Sequence, residues 1–333
     1  MESNGVCPKI KLYIGNEIPQ MGFGVYKIKG DELAEKCVAE ALKVGYRHID
    51  TAHFYENERG VGAAIKKSGI PRDQIWVTSK VWVTEFGSGK TTAAVEKMLK
   101  RLDLEYIDLV LLHFPFNDYL GAYKELEAEY EKGHIKNIGI SNFEDNKFDE
   151  LYNQAKIKPV LNQIELHPYF QQRNIRKKMN ELNCKTEGWA PLGQASSSLF
   201  NEQIIKKLSE KYKKTSAQII LRWHIQSGFI TIPKSVNPQR IKENFEIFDF
   251  ELTEDEMKSI DNLNGKKGRL QFSSWIMNLA FWFMPAPTDA RHLQESARDD
   301  LQRGAQGLRR RDVSGHHRRC CPQSGGRAFP QAH

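Results

Sequence analysis

Eight short strand-like runs recur along this chain, MGFGV, RHID, IWVTSKV, YIDLVLLH, IKNIGIS, VLNQIE, CKTEGW and FITIP, and helical sequence follows each of them. Segments such as DELAEKCVAEALKVG, TTAAVEKMLKRLDL, AYKELEAEYEKGH and NEQIIKKLSEKYKK carry their apolar residues at helical spacing. Strand–helix repeats build a parallel sheet, and eight of them suffice to close it. The pattern therefore predicts an α/β protein, a (β/α)8 TIM barrel, preceded by a β-hairpin over residues 8–20 with Gly15-Asn16 at its turn. Gly45 after Val44 and Gly133 after Lys132 are expected helix stops. A doubly wound open sheet is the competing architecture, but no GxGxxG follows any of the runs.

Charge narrows the function classes. Of 49 Lys+Arg and 42 Asp+Glu, 12 and 5 fall from Gly265 onward, which leaves 37 of each in the rest of the chain. A body without net charge is not built to hold a phosphate backbone, so no nucleic-acid partner is expected. The apolar run Trp275–Met284 spans ten residues, about half of what crosses a bilayer. Five cysteines without CxxC or zinc-ligand spacing read as reduced thiols. These features predict a cytoplasmic protein with no membrane partner and no metal, and a single barrel is expected to be a monomer.

In a barrel of this kind chemistry sits at the C-terminal ends of the strands. The polar residues closing successive runs are Asp50, Lys80, His113, Ser141-Asn142, Gln163 and Trp189, with 30, 33 and 28 residues between the first four. Tyr55 follows Asp50 by five positions in GYRHIDTAHFYENE. A tyrosine is a poor acid near neutrality, but an ammonium beside it favours the phenolate, and a carboxylate fixes that ammonium. Asp50, Lys80 and Tyr55 suit those parts, and His113 can orient a carbonyl oxygen toward the phenol. Each residue taken singly is more often a cap, a solvated lysine or a structural histidine; together on successive strands they read as equipment for protonating a carbonyl.

The stretch GYRHIDTAHFYENE, followed in order by VTSKVW, LLHFP, IGISNF, NQIELHP, WAPLGQ and IPKSVNPQRIKEN, resembles the aldo-keto reductases over roughly residues 8 to 265. The resemblance implies that Asp50, Tyr55, Lys80 and His113 form the catalytic tetrad with Tyr55 as general acid, and that NADPH passes hydride to an aldehyde or ketone. It also implies that Ser141, Asn142 and Gln163 bind the carboxamide and that Trp189 stacks on the nicotinamide. Lys234, Ser235 and Arg240 would clamp the 2′-phosphate, Glu243 and Asn244 would lie toward the adenine, and Leu192 and Val236 would add cofactor contacts. Two cations and a hydroxyl suit a phosphate dianion, which favours NADPH over NADH. Tyr26, Trp82 and Phe114 are the expected aromatic walls of the substrate pocket. The WxPLGQ form is similar to that of prokaryotic and protozoan members acting on small dicarbonyls, sugar-derived ketones or glyoxals. Phe114, Val25 and Ala190 stand where Trp, Thr and Ser are common in the family. The competing functional class is a barrel that keeps the cofactor as a non-enzymatic sensor or partner-binding module.

Two segments fall outside this scheme. FGSGKTT resembles a phosphate-binding loop, but the GxxxxGK[ST] spacing puts Thr84 where glycine is required, so Thr91 or Thr92 is expected only to cap the helix that follows. The barrel domain is expected over 1–267, and 268–333 is read as an Arg-rich, largely disordered extension unlike the family's usual C-terminal loop. His316, His317, Cys320 and Cys321 in that extension match no standard zinc spacing.

Overall fold

A computed structural model describes residues 7–266 of the chain. The extension from 268, its apolar run Trp275–Met284 and its His/Cys pairs lie outside the described residues. The expected hairpin is present: β1 (Lys9–Lys11) pairs antiparallel with β2 (Glu17–Pro19), and Gly15 at the turn has φ 100°. Eight strands follow, β3 (Phe23–Gly24), β4 (His48–Asp50), β5 (Trp76–Val81), β6 (Leu109–Leu112), β7 (Ile138–Ser141), β8 (Leu161–Glu165), β9 (Lys185–Trp189) and β10 (Ile230–Thr231). One strand comes from each predicted run, and all eight pair in parallel and in chain order.

The two ends of this sheet meet. The Thr231 N–H donates to the Gln20 carbonyl at 2.9 Å, the Gly22 N–H to the Thr231 carbonyl at 2.8 Å and the Gly24 N–H to the Pro233 carbonyl at 3.1 Å. Closure leaves no free edge on the sheet. At the opposite end from the strand C-termini, Leu12 and Ile18 of the hairpin join Trp76, Leu109, Leu111, Val160, Leu161 and Ile230 in one apolar cluster. The hairpin thus plugs the barrel floor with side chains.

Eleven α-helices occur among the described residues: α1 (Asp31–Val44), α2 (Glu58–Lys67), α3 (Lys90–Leu102), α4 (Tyr119–Glu131), α5 (Asp145–Gln154), α6 (Arg173–Glu181), α7 (Ser197–Phe200), α8 (Gln203–Tyr212), α9 (Ser216–Gln226), α10 (Pro238–Phe245) and α11 (Glu254–Asp261). In α1 the buried residues are Ala34, Cys37, Val38, Ala41 and Leu42, the i, i+3, i+4, i+7, i+8 stripe of a helix lying on a sheet. Each buried valine or leucine of that stripe contributes about 2 kcal/mol. Gly45 ends the helix as expected, at φ 126°, with its N–H shared between the Ala41 and Leu42 carbonyls. In α4 the last helical residue is Glu131, one residue short of the expected Lys132, and Gly133 takes φ 81°.

The phosphate-loop resemblance resolves into an internal contact. Gly89 caps α3, and the Glu125 carboxylate of α4 accepts from the Gly89 N–H and the Thr92 N–H, each at 2.9 Å. Neither threonine is the cap. The Thr91 hydroxyl instead accepts from the Gly87 N–H at 3.2 Å and donates to the Glu85 carbonyl at 2.8 Å. A helix N-terminus that attracts anions has here been given a carboxylate of the same chain.

Close helix packing is set by α2. A Cβ on Gly62 would lie 1.9 Å from the Leu102 carbonyl oxygen, a backbone atom with nowhere to go. Gly62→Ala is therefore expected to lower stability by about 2 kcal/mol or more, read as a lower midpoint in urea denaturation.

Candidate active site

Strand β5 sets the centre of the site. Its side chains alternate, so Lys80 points into the barrel while Ser79 points out and donates to Glu58 of α2 at 2.6 Å. Glu58 also accepts from Arg101 of α3 at 2.5 Å, which locks β5 to the two helices outside it. On the inside, the fully buried Lys80 ammonium donates to Asp50 Oδ1 and Oδ2 at 2.7 and 2.8 Å, to the Thr51 carbonyl at 2.9 Å and to Tyr55 Oη at 3.4 Å. Burial pulls the Lys80 pKa down, but the Asp50 and Tyr55 charges outweigh it and the net shift is upward. Lys80 is a cation at any physiological pH.

Tyr55 closes a short 3-10 helix, His53–Tyr55, just beyond β4. The sequence-based expectation was a depressed pKa, and here the structure differs. Loss of water around the phenol pushes it up to about 12, and the opposing pull of Lys80 does not overcome that. The phenol therefore keeps its proton across the physiological range. His113, immediately after β6, stays neutral because burial, and then the Lys80 charge, drive its pKa well below the usual value. Its Nδ1 has no hydrogen-bond partner, and its ring centroid lies 5.9 Å from that of Tyr55.

Ser141 at the end of β7 and Trp189 at the end of β9 are linked to each other and back to this pair through Asn142 and through Gln163, which lies mid-strand in β8, two residues before its last residue Glu165 and not at its end as expected. The Ser141 hydroxyl donates to the Gln163 carbonyl at 3.0 Å, and the Gln163 amide donates to Asp50 Oδ2 at 2.8 Å. Asn142 adopts φ 63°, a left-handed conformation that asparagine tolerates better than most residues. From there its amide donates to the His113 carbonyl and to Ser141 Oγ, both at 3.0 Å, and its oxygen accepts from Trp189 Nε1 at 2.9 Å. One hydrogen-bonded chain thus runs from Trp189 through Asn142, Ser141 and Gln163 to Asp50.

A second group forms beyond β10, at the same end of the barrel. Lys234 and Arg240 are exposed and Ser235 is buried. The Ser235 hydroxyl accepts from the Asn237 N–H at 3.1 Å, and Asn237 caps α10 by accepting from the Arg240 N–H at 3.2 Å, with Pro238 as the first helical residue. Val236 is exposed, Glu243 accepts from Gln239 at 3.1 Å, Asn244 is buried, and Leu192 packs partly buried against the core. Two cations and a helix N-terminus together suit a phosphate.

Aromatic rings line the mouth. Tyr26, half-exposed, lies 5.1 Å from Tyr55 between centroids; Trp82 is buried beneath Phe54, stacked at 4.1 Å; Phe114 stacks on His113 at 5.1 Å and on Phe116 at 5.8 Å. Phe54 and Phe116 were not among the expected wall residues. Their signal was adjacency, Phe54 to Tyr55 and Phe116 to the LLHFP run. Sequence reading also passed over the groups that hold the loops. Buried Asn57 donates to the Val25 and Ile28 carbonyls at 3.1 and 2.9 Å and accepts from Thr51 at 2.9 Å, tying the Tyr26 loop to the Tyr55 loop. His53 pairs with Glu85 at 2.6 Å across the same mouth.

Asp50→Ala would leave Lys80 charged, buried and without its carboxylate, and should cost about 3–5 kcal/mol in urea denaturation. Asp50→Ala with Lys80→Met should cost less than the single change, because no buried charge is left unpaired.

The comparisons with known proteins agree with this geometry. Residues 20–265 match the Aldo/keto reductase family. The chain is 44% identical over 269 residues to the 9,11-endoperoxide prostaglandin H2 reductase of Trypanosoma cruzi, covering 80% of this chain and 94% of that protein. It is 44% identical over 256 residues to the glyoxal reductase of Bacillus subtilis, covering 77% and 92%. The solved structure of a Bombyx mori aldo-keto reductase in complex with NADP superposes with a TM-score of 0.77 at 32% identity, over 81% of this chain and 97% of that one. A closed eight-stranded barrel, a buried Lys80–Asp50 pair at its mouth and matches of this extent lead to one conclusion: the chain belongs to the aldo/keto reductase family.

Proposed function

We propose that this oxidoreductase reduces small dicarbonyls, glyoxals or sugar-derived carbonyls to alcohols with NADPH, and that Tyr55 delivers the proton. The observation that carries the reading is the contact of a protonated phenol with a buried ammonium whose other partners are a carboxylate and a backbone carbonyl. The glyoxal reductase of Bacillus subtilis and a methylglyoxal reductase of Yersinia pestis, each 44% identical, support the substrate class. The donor set supports the cofactor: Lys234, Ser235 and Arg240 around the N-terminus of α10 fit a 2′-phosphate, and the Trp189 face with the Ser141, Asn142 and Gln163 chain fits a nicotinamide amide. When bound, NADPH supplies the hydride that goes to the carbonyl carbon.

The chain's own residues do the rest. Neutral His113 donates a hydrogen bond to the carbonyl oxygen and turns it toward Tyr55. Tyr55 Oη releases its proton to that oxygen as the carbon accepts hydride, and the resulting phenolate lies beside the Lys80 ammonium. Asp50 holds Lys80 in place and keeps it charged. The aromatic rings around the mouth exclude water, which strengthens each of these charge interactions.

Tyr55→Phe removes the proton donor without disturbing the cofactor groups, so carbonyl reduction should fall by about 100-fold or more while NADPH affinity is kept. Stopped-flow reduction of methylglyoxal with NADPH titrated by fluorescence checks both, and a wild-type rate would remove Tyr55 from the role. Arg240→Ala should weaken NADPH by roughly tenfold to a hundredfold, the size of one charge-assisted contact, with much less effect on NADH. Equal loss for both cofactors would overturn the phosphate assignment.

A further inference from the structure

The barrel interior next to the Asp50–Lys80 pair holds a second carboxyl that the mechanism above does not use. Glu187 lies in the middle of β9, in register with Gln163 of β8 on one side and Ile230 of β10 on the other, and it is fully buried. Neither of its oxygens has a hydrogen-bond partner.

The donors around it are mostly committed to other groups. The Lys80 ammonium is committed to Asp50, the Thr51 carbonyl and Tyr55. The Gln163 amide donates one N–H to Asp50, and it draws on the Glu187 carboxyl from the neighbouring strand without forming a well-aligned hydrogen bond to it. His48 of β4 comes to 3.7 Å of Glu187 Oε1 through Nε2, but that nitrogen meets Thr78 Oγ1 at 3.1 Å. Nor does His48 bring a charge, since burial pushes its pKa down to about 3. The titratable groups facing Glu187 are therefore His48 and Asp50 of β4 and Lys80 of β5, while β8 and β10 present Gln163 and Ile230 in register.

A buried carboxylate with no well-formed hydrogen bond, beside the negative charge of Asp50, is the costly state, and holding a proton is the cheaper one. Burial and then the Asp50 charge outweigh the pull of Lys80 and of the adjacent Gln163 amide, and the Glu187 pKa is pushed up to about 8. Glu187 is thus a neutral acid at pH 7 that ionises just above it.

We propose that Glu187 is a positioning residue of the reduction, acting on Tyr55 through the Asp50–Lys80 pair. As a neutral carboxyl it leaves the Lys80 charge to Asp50 and to the phenolate that forms on Tyr55. As an anion it competes for that charge, stabilises the protonated phenol and makes Tyr55 a weaker acid. The inference rests on Tyr55 being the proton donor. Across pH 6 to 10 the other groups of the pair do not titrate: Tyr55 lies at about 12, Lys80 is raised and His113 is far below.

Two measurements on the full chain test this. The first is kcat for methylglyoxal reduction with saturating NADPH from pH 6 to 10, each protein scaled to its own rate at pH 6.5. Wild type should lose roughly threefold to tenfold as pH rises through 8, the effect of one added interior charge, and Glu187→Gln should not show that limb. The second is Tm against pH. A carboxyl whose folded pKa lies above its unfolded value of about 4.3 gives stability that is lost as pH rises from there to about 8. Glu187→Gln does not share that loss, so its Tm minus that of wild type should grow from pH 5 to pH 8 and then level.

A constant Tm difference would mean that Glu187 holds no proton, and a growing difference with an unchanged rate limb would mean that its charge does not reach Tyr55. Either result overturns the proposal. Glu187→Met, neutral and of similar length, carries the same two measurements if Glu187→Gln does not fold. A failure of Tyr55 itself is seen separately, as a wild-type rate in Tyr55→Phe, and leaves the Tm signature untouched.

Discussion

A lysine ammonium with no exposure to water is the constraint around which this protein is arranged. Moving such a charge out of water costs several kcal/mol even after relaxation, and it persists only where hydrogen-bond acceptors and a counter-charge meet it. Asp50 supplies the charge with both oxygens, and the Thr51 carbonyl and Tyr55 complete the set. All three partners come from the end of β4 and the turn just beyond it, whereas Lys80 comes from β5. The pairing therefore requires those two strands side by side in one register, with His48 opposite Trp76 and Asp50 opposite Thr78.

Placement of the loops follows from the same logic of satisfied polar groups. Tyr55 sits beyond the strand, where the chain is free to wander, yet Asn57, Thr51 and the His53–Glu85 pair tether it to the loops after β3 and β5. The phenol is held against Lys80 from several directions. A barrel whose floor is sealed by the hairpin and whose sheet has no free edge gives these tethers a rigid base. The interior also carries polar side chains that a purely structural barrel would replace with valine or leucine. Lys80, Asp50, Gln163, Glu187 and His48 are all buried, Asp50 and Lys80 at the strand C-termini where function is expected and Glu187 and His48 deeper in the same interior.

Much of this was legible from residue order alone. Each of the eight runs contributes one strand, because a period of strand and helix that repeats eight times has few ways to bury its apolar faces. The residues that end those runs converge because parallel strands all finish at one end of a barrel. What escaped notice is physically different. Asn57, His53 and Glu85 read as ordinary polar loop residues until their partners, from a few to about thirty positions away, are known. Glu187 is one charge among many in KTEGW, and although spacing alone excludes a phosphate loop at GSGKT, residue order does not show that Glu125 of the next helix occupies that N-terminus. The direction of the Tyr55 shift was missed for a related reason: proximity to Lys80 can be inferred from spacing, but the loss of water that outweighs it cannot.

Sequence by itself determined the kind of protein, the order of its strands and the four residues brought to the mouth, since periodicity and strand-end position are properties of the chain read in one dimension. Tertiary structure decided which protons those residues hold. Protonation depends on how many donors and charges surround a buried group, and at Tyr55, His113 and Glu187 those neighbours arrive from other strands only when the barrel closes.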